Sequence, residues 1–127
     1  MSVVNMSVIN SAVIYKICPA GLWREAEADG LFRGAPVDLA DGYIHFSTAA
    51  QARETAARHF AGQSDLVLVA VAVAALGPAL KWEPSRGGDL FPHLYGPLPA
   101  SAATSVVPLP LGADGGHIFP PLTGEAA

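Results

Sequence analysis

Asp65-Leu66-Val67-Leu68-Val69-Ala70-Val71-Ala72-Val73 decides the fold. After its aspartate every position is apolar and valine dominates, so neither face of a strand here is written for water. It reads as a central strand covered on both sides. Val67, Val69, Val71 and Val73 take one face and Leu66, Leu68 and Ala70 the other, and all are expected to be nearly buried. The apolar run from 66 to 76 is eleven residues long, against the roughly 20 that a helix needs to cross a bilayer. It is core, not membrane.

Working outward, Val13-Ile14-Tyr15-Lys16-Ile17 alternates and is rich in branched residues, which predicts a first strand ended by Pro19. Pro19 suits a first helical turn, Leu22, Trp23 and Ala26 share a face, and Gly30 can close the helix, giving a helix over about Pro19 to Asp29. After a Gly-Ala-Pro turn at 34–36 and the Asp41-Gly42 turn signal, Tyr43 to Phe46 reads as a short strand running into a second helix. Thr48 and Gln51 are spaced as a capping box, and Ala49, Ala52, Ala56 and Phe60 form a narrow face that can pack close to a sheet. Leu80-Lys81-Trp82-Glu83 is a further short strand. Thr104 to Leu109 is another, restricted to an edge by Pro108 and Pro110. The expectation is a compact single domain of the α+β class over 13–111. A flexible tail precedes it at 1–12, and an irregular, Gly- and Pro-bearing tail follows at 112–127.

The 127 residues are 51% hydrophobic and 14% charged, the reverse of a disordered composition. With a net charge of −4 and seven scattered basic residues, the chain lacks the footprint that extended duplex nucleic acid selects. Cys18 stands alone, which excludes an intrachain disulfide and a multi-cysteine zinc site and favours a reducing, cytoplasmic setting. At the end of an apolar strand it reads as a small buried hydrophobe. The first twelve residues carry no basic region of the kind that opens a secretory signal.

Two segments carry chemistry. In Asp41-Gly42-Tyr43-Ile44-His45-Phe46-Ser47-Thr48, strand alternation puts Tyr43, His45 and Ser47 on one face and Ile44 and Phe46 on the other. Ser47 and Thr48 also begin a helix, whose free amides suit an anion, although both hydroxyls can equally well serve only as caps. The second segment runs from Trp82 to Pro97. It is expected to leave a strand for a stiff Gly- and Pro-rich loop holding Glu83, Arg86, His93 and Tyr95, with Trp82 as an apolar wall. The competing reading is a surface loop with an exposed ion pair. His59 and His117 are explained by solvation or a helix dipole, and Trp23 by packing.

Ile44 to Thr48 and Phe91-Pro92-His93-Leu94-Tyr95-Gly96 resemble the two motifs, Ile-His-Phe-Ser-Thr and Phe-Pro-His-Leu-Tyr-Gly, of a bacterial family to which no activity is assigned. The resemblance covers about Ile14 to Leu109. That family is distantly similar to the ADP-ribosyltransferase fold and to RNA 2'-phosphotransferases, through His45-Phe46-Ser47 ahead of a helix. This implies two small packed sheets around a cleft, His45 against the ribose or phosphate of a nucleotide with Ser47 in support, and NAD as a cofactor. The first strand, Tyr15 to Cys18, lacks the superfamily's His-Gly-Thr and the last offers no glutamate, so its catalytic roles are not carried onto Glu83 or Arg86.

Three functions fit these residues. One is a module binding a small anionic or nucleotide-type ligand in a cleft formed by Asp41 to Thr48 and Trp82 to Tyr95. A second is a transferase acting on NAD or a phosphorylated nucleotide. Here Arg86 and the helix start would hold phosphate, His45 or His93 would move protons, and Glu83 would stabilise charge on a ribose carbon. A third is a metal-dependent hydrolase built on His45, His93 and Glu83, for which the sequence holds no short-range ligand spacing. The binding contacts expected are Tyr43, Ser47, Thr48, Arg86 and Tyr95.

Overall fold

A computed structural model of the chain describes residues 12–85 and 87–123. In chain order the elements are β1 (Val13–Pro19), α1 (Ala20–Asp29), β2 (Leu31–Phe32), α2 (Pro36–Asp41), β3 (Ile44–His45), α3 (Ala49–His59) and β4 (Leu66–Ala72). They continue with β5 (Leu80–Ser85), β6 (Asp89–Leu94), β7 (Leu98–Pro99) and β8 (Ala103–Leu109). Single 3-10 turns at Val73–Ala75, Gly77–Ala79 and Ala100–Ala102 join the later strands.

The valine-rich stretch is the middle strand of an antiparallel sheet, β1-β4-β8, with β8 on the edge where its prolines do least harm. Each of its faces belongs to a separate apolar cluster. Val69 and Val71 pack with Ile14, Cys18, Trp23, Phe46 and Leu94. On the other face Leu66, Leu68 and Ala70 pack with Tyr15, Ile17 and the α3 alanines Ala49, Ala52 and Ala56. Val67 and Val73 are only half-buried. Val73 has already left the strand for the 3-10 turn, so alternation no longer governs it.

A second antiparallel sheet has the order β3-β6-β5, and β2 pairs with β7 in a small third ladder. The stretch from Trp82 onward is therefore not a strand end and a loop. It is a β-hairpin, with Glu83 opposite Phe91 and Ser85 opposite Asp89. Gly87 and Gly88, at φ 83° and 101°, take the left-handed conformations a tight turn needs. Pro92 disguised β6 as a loop because proline lacks the N–H that a central strand normally uses. Its carbonyl still accepts from Phe46 N–H at 3.0 Å, so only one bond of that pair is lost.

The two main sheets are joined by the chain itself. His45 pairs with His93 in the second sheet. Two residues later Ser47 pairs with Tyr15 of β1, exchanging N–H to carbonyl bonds of 2.9 and 2.8 Å. His45-Phe46-Ser47 thus crosses from one sheet to the other.

α2 is a third, short helix where a turn was expected, begun by Pro36 and closed by Gly42 in the left-handed conformation. Gly34 lies against it so closely that an added Cβ would stand 2.8 Å from Asp38 Cβ. Beyond β8 the chain folds back over the first sheet. Leu122 is buried, Arg53 lies 4.9 Å over the Phe119 ring, and Thr123 N–H donates to Tyr15 Oη. The N-terminal tail through residue 11, Arg86 and residues 124–127 lie outside the described residues. Among the described residues no helix is long and apolar enough to cross a membrane.

Candidate functional site

Asp38, on α2, is the hub. Its side chain is fully buried and accepts from Lys16 Nζ (3.0 Å to Oδ1, 2.9 Å to Oδ2), Ala35 N–H (2.7 Å), His45 N–H (3.0 Å) and His45 Nδ1 (2.6 Å). Burial by itself would raise its pKa. The hydrogen bond from His45, the charge and bond of Lys16 and the Ala35 amide outweigh that and lower it from 3.8 to about 2. Lys16 is a lysine in an otherwise apolar strand, 4% exposed, and it is tolerated there because Asp38 meets it. The other ring nitrogen of His45, Nε2, lies 2.9 Å from Asp41 Oδ2 on the last turn of α2.

His93 faces His45 across β3 and β6. It is 4% exposed, and its Nδ1 lies 2.7 Å from Glu83 Oε1, which also accepts from Tyr95 Oη at 2.8 Å. Burial holds the imidazole below its ordinary pKa, and the Glu83 contact only partly opposes this. His93 and Tyr95 in turn hold Glu83 low, so Glu83 is an acceptor and His93 Nδ1 the donor. Nε2 then keeps the lone pair of the neutral ring. Tyr43 stacks on His93 with centroids 4.1 Å apart and lies 4.6 Å from His45 and 5.2 Å from Tyr95.

A cavity of about 430 Å³ opens beside these rings. Asp41, His45 and His93 line it with the hydroxyl residues Ser47 and Thr55, and Ile17, Phe46 and Phe91 give it apolar walls. The structure thus brings His45, Ser47 and His93 to one cavity. Glu83, Tyr43 and Tyr95 support the histidines from beside it. Thr48 is buried at the start of α3, and its N–H is bonded to Gln51 Oε1 at 3.0 Å.

The expected anion site at the start of α3 loses much of its basis. Ser47 N–H is bonded to Tyr15, Thr48 N–H to Gln51, and Ser47 Oγ lies 2.7 Å from Thr55 Oγ1. Arg86, its expected partner, lies outside the described residues. His59, set aside on sequence grounds, lines the cavity. Asp38, Lys16 and Thr55 were also missed. The one available signal was Lys16, a charge at an inward position of an apolar strand.

Two sheets joined at His45-Phe46-Ser47 and a histidine pair held by Asp38, Asp41 and Glu83 define a small α+β domain with a cavity at the sheet junction. The chain belongs to the family described as "Protein of unknown function (DUF952)", whose model matches residues 17–106. It is similar to the protein CC0527 of Caulobacter crescentus. The crystal structure of that protein is 54% identical, covers 84% of this chain and 93% of that one, and superposes with a TM-score of 0.81. Its solution NMR structure is 55% identical over 82% of this chain and 90% of that one, with a TM-score of 0.75. No match is found among curated proteins.

Proposed function

We propose that the domain binds a small hydroxyl-bearing ligand of the nucleoside or nucleotide type in this cavity, and that His93 takes a proton from it. The observation carrying this reading is the state of His93. It is buried, fixed through Nδ1 by Glu83, and left with an accepting Nε2 at a cavity it lines. Such a nitrogen seeks a donor, and a hydroxyl is a donor that can also give up its proton. A volume of about 430 Å³ suits a molecule of that size. The reducing interior of a cell goes with this reading, since Cys18 is a free thiol.

A transferase of the ADP-ribosyltransferase type is the second reading, favoured by His45-Phe46-Ser47 leading into α3. Against it, Glu83 is committed to His93 and Tyr95 and is not among the residues lining the cavity. The metal-dependent reading draws no support. Both His45 nitrogens and His93 Nδ1 are engaged by carboxylates, and among the described residues no three ligand-type side chains are grouped for a metal.

Thermal shift with adenosine, AMP, ADP-ribose, NAD and inorganic phosphate tests the reading, because a ligand selective for the folded state raises its stability. Stabilisation by the nucleosides and nucleotides, lost in His93→Gln, is expected. An undiminished shift in His93→Gln, or no shift with any of them, would overturn it.

A further inference from the structure

We infer, resting on that ligand class, that His45 and His93 are an acid–base pair that hydrolyses a phosphodiester of mononucleotide size. His45 supplies the acid. Its Nδ1 meets Asp38 and its Nε2 meets Asp41. Carboxylates only accept, so a ring with a proton on each nitrogen, the form an acid must take, would meet an acceptor at both ends. Asp38 is buried and pinned by Lys16, whereas the Asp41 side chain is 45% exposed. The Nε2 end is therefore the one that a ligand oxygen can claim by displacing an exposed partner. Asp41 and His45 both line the cavity.

His93 is the complement, with Nδ1–H committed to Glu83 and its ring centroid 5.5 Å from that of His45. Tyr43 lies against both rings, and Lys81 stands opposite His93 on β5. His45 thus has carboxylates at both ring nitrogens and His93 at one, the kind of asymmetry that separates an acid from a base.

The attacking oxygen comes from water. Ser47 Oγ is bonded to Thr55 Oγ1, which also donates to Gln51 C=O at 3.1 Å. Cys18 is buried in the core with its thiol pushed up to about 11. Lys16 and Asp38 neutralise each other, so turning Asp41 away leaves His45 Nε2 facing the phosphate.

In the step, water gives a proton to His93 Nε2 as its oxygen bonds to phosphorus. The bond from phosphorus to the ribose oxygen breaks, and that oxygen keeps the electron pair and takes the His45 Nε2 proton. A phosphate monoester and a free hydroxyl result. His93 then releases its proton to solvent and His45 regains one, so only water is consumed.

The full chain incubated with adenosine 2',3'-cyclic monophosphate, with products followed by phosphorus NMR and AMP binding by thermal shift, is the test. Hydrolysis with a bell-shaped pH profile is expected. His45→Gln and His93→Gln should each lose about 100-fold or more in kcat at saturating substrate, beyond any weakening of AMP binding. Binding of AMP without hydrolysis overturns the acid–base pair and leaves the ligand reading standing. Neither binding nor hydrolysis overturns both. Hydrolysis unchanged in either variant overturns the pair. Should His45→Gln fail to fold, the wild-type profile decides, since a rate falling on only one side of the optimum is incompatible with a paired acid and base.

Discussion

His45 and His93 stand directly opposite each other across β3 and β6, edge to face, with ring centroids 5.5 Å apart. Their neighbours in the ladder, Ile44 and Leu94, are also paired, and both are buried in the core. A slip of one residue would send the imidazoles inward and the aliphatic pair outward, so the hydrophobic pattern fixes the register that brings the histidines together. The site is thus specified by core packing and not by polar contacts alone.

Asp38→Ala should be severely destabilising. The substitution strands Lys16 in the interior and removes the acceptor for two backbone amides. Breaking a buried pair from one side costs about 3–5 kcal/mol, a large part of the roughly 5–15 kcal/mol that holds a domain together. Urea denaturation checks this. A variant within about 1 kcal/mol of wild type would contradict the hub.

Stability should fall on acidification in two stages. His93 has its folded pKa lowered from 6.5, so the fold favours the neutral ring. Its contribution is full above 6.5 and is lost as pH falls through the folded value. Asp38 has its folded pKa lowered from 3.8 to about 2, so its contribution is full above 3.8 and is lost as pH falls through about 2. That loss is on the order of 2 kcal/mol. Urea midpoints should drop between neutrality and about pH 5, and His93→Gln should flatten that first stage alone. Greater wild-type stability at about pH 5 than at neutrality would reverse the sign and contradict this account.

How legible these features were depended on the physics behind each. The valine stretch at 66–72 declared a two-faced strand because its composition allows little else, and Thr48 with Gln51 marked the start of α3 to the residue. His45 and Ser47 were legible as polar positions facing away from Ile44 and Phe46, and His93 only as a polar residue of an expected loop. β6 was not, because Pro92 in a central strand breaks a local rule that the half-made pair with Phe46 compensates. α2 was not, because six residues are too few to show a helical period. Asp38 was hidden with it, since the partners that permit its burial, Lys16 and His45, come from elements that only the tertiary fold brings together.

Val69→Asp should leave no cooperatively folding protein. Val69 is 0% exposed in the middle strand, pairing with Lys16 of β1 and Val106 of β8. A carboxylate in its place would point into the cluster of Trp23, Phe46 and Leu94, where the facing Lys16 is already committed to Asp38. A soluble variant with a sharp melting transition would contradict the two-sided core.

Cys18 reports on the opening of β1. Its side chain is 0% exposed, and burial pushes the thiol up to about 11, so it is both hidden and protonated at neutral pH. β1 is held along its length by β4 and at Tyr15 by Ser47, so labelling Cys18 requires that ladder to open. Lys16 lies on the same face of β1 and holds Asp38, so an opening that exposes Cys18 also dismantles the support of His45. A ligand in the cavity must therefore protect the thiol. Labelling by an aromatic disulfide reagent should be slow without denaturant and quicken in urea. If only the closed form binds, added AMP should slow it by the factor 1 + [AMP]/Kd. Rapid labelling of the native protein would mean that β1 opens locally. If AMP stabilises the protein but leaves the labelling rate unchanged, the ligand sits away from the junction of the two sheets.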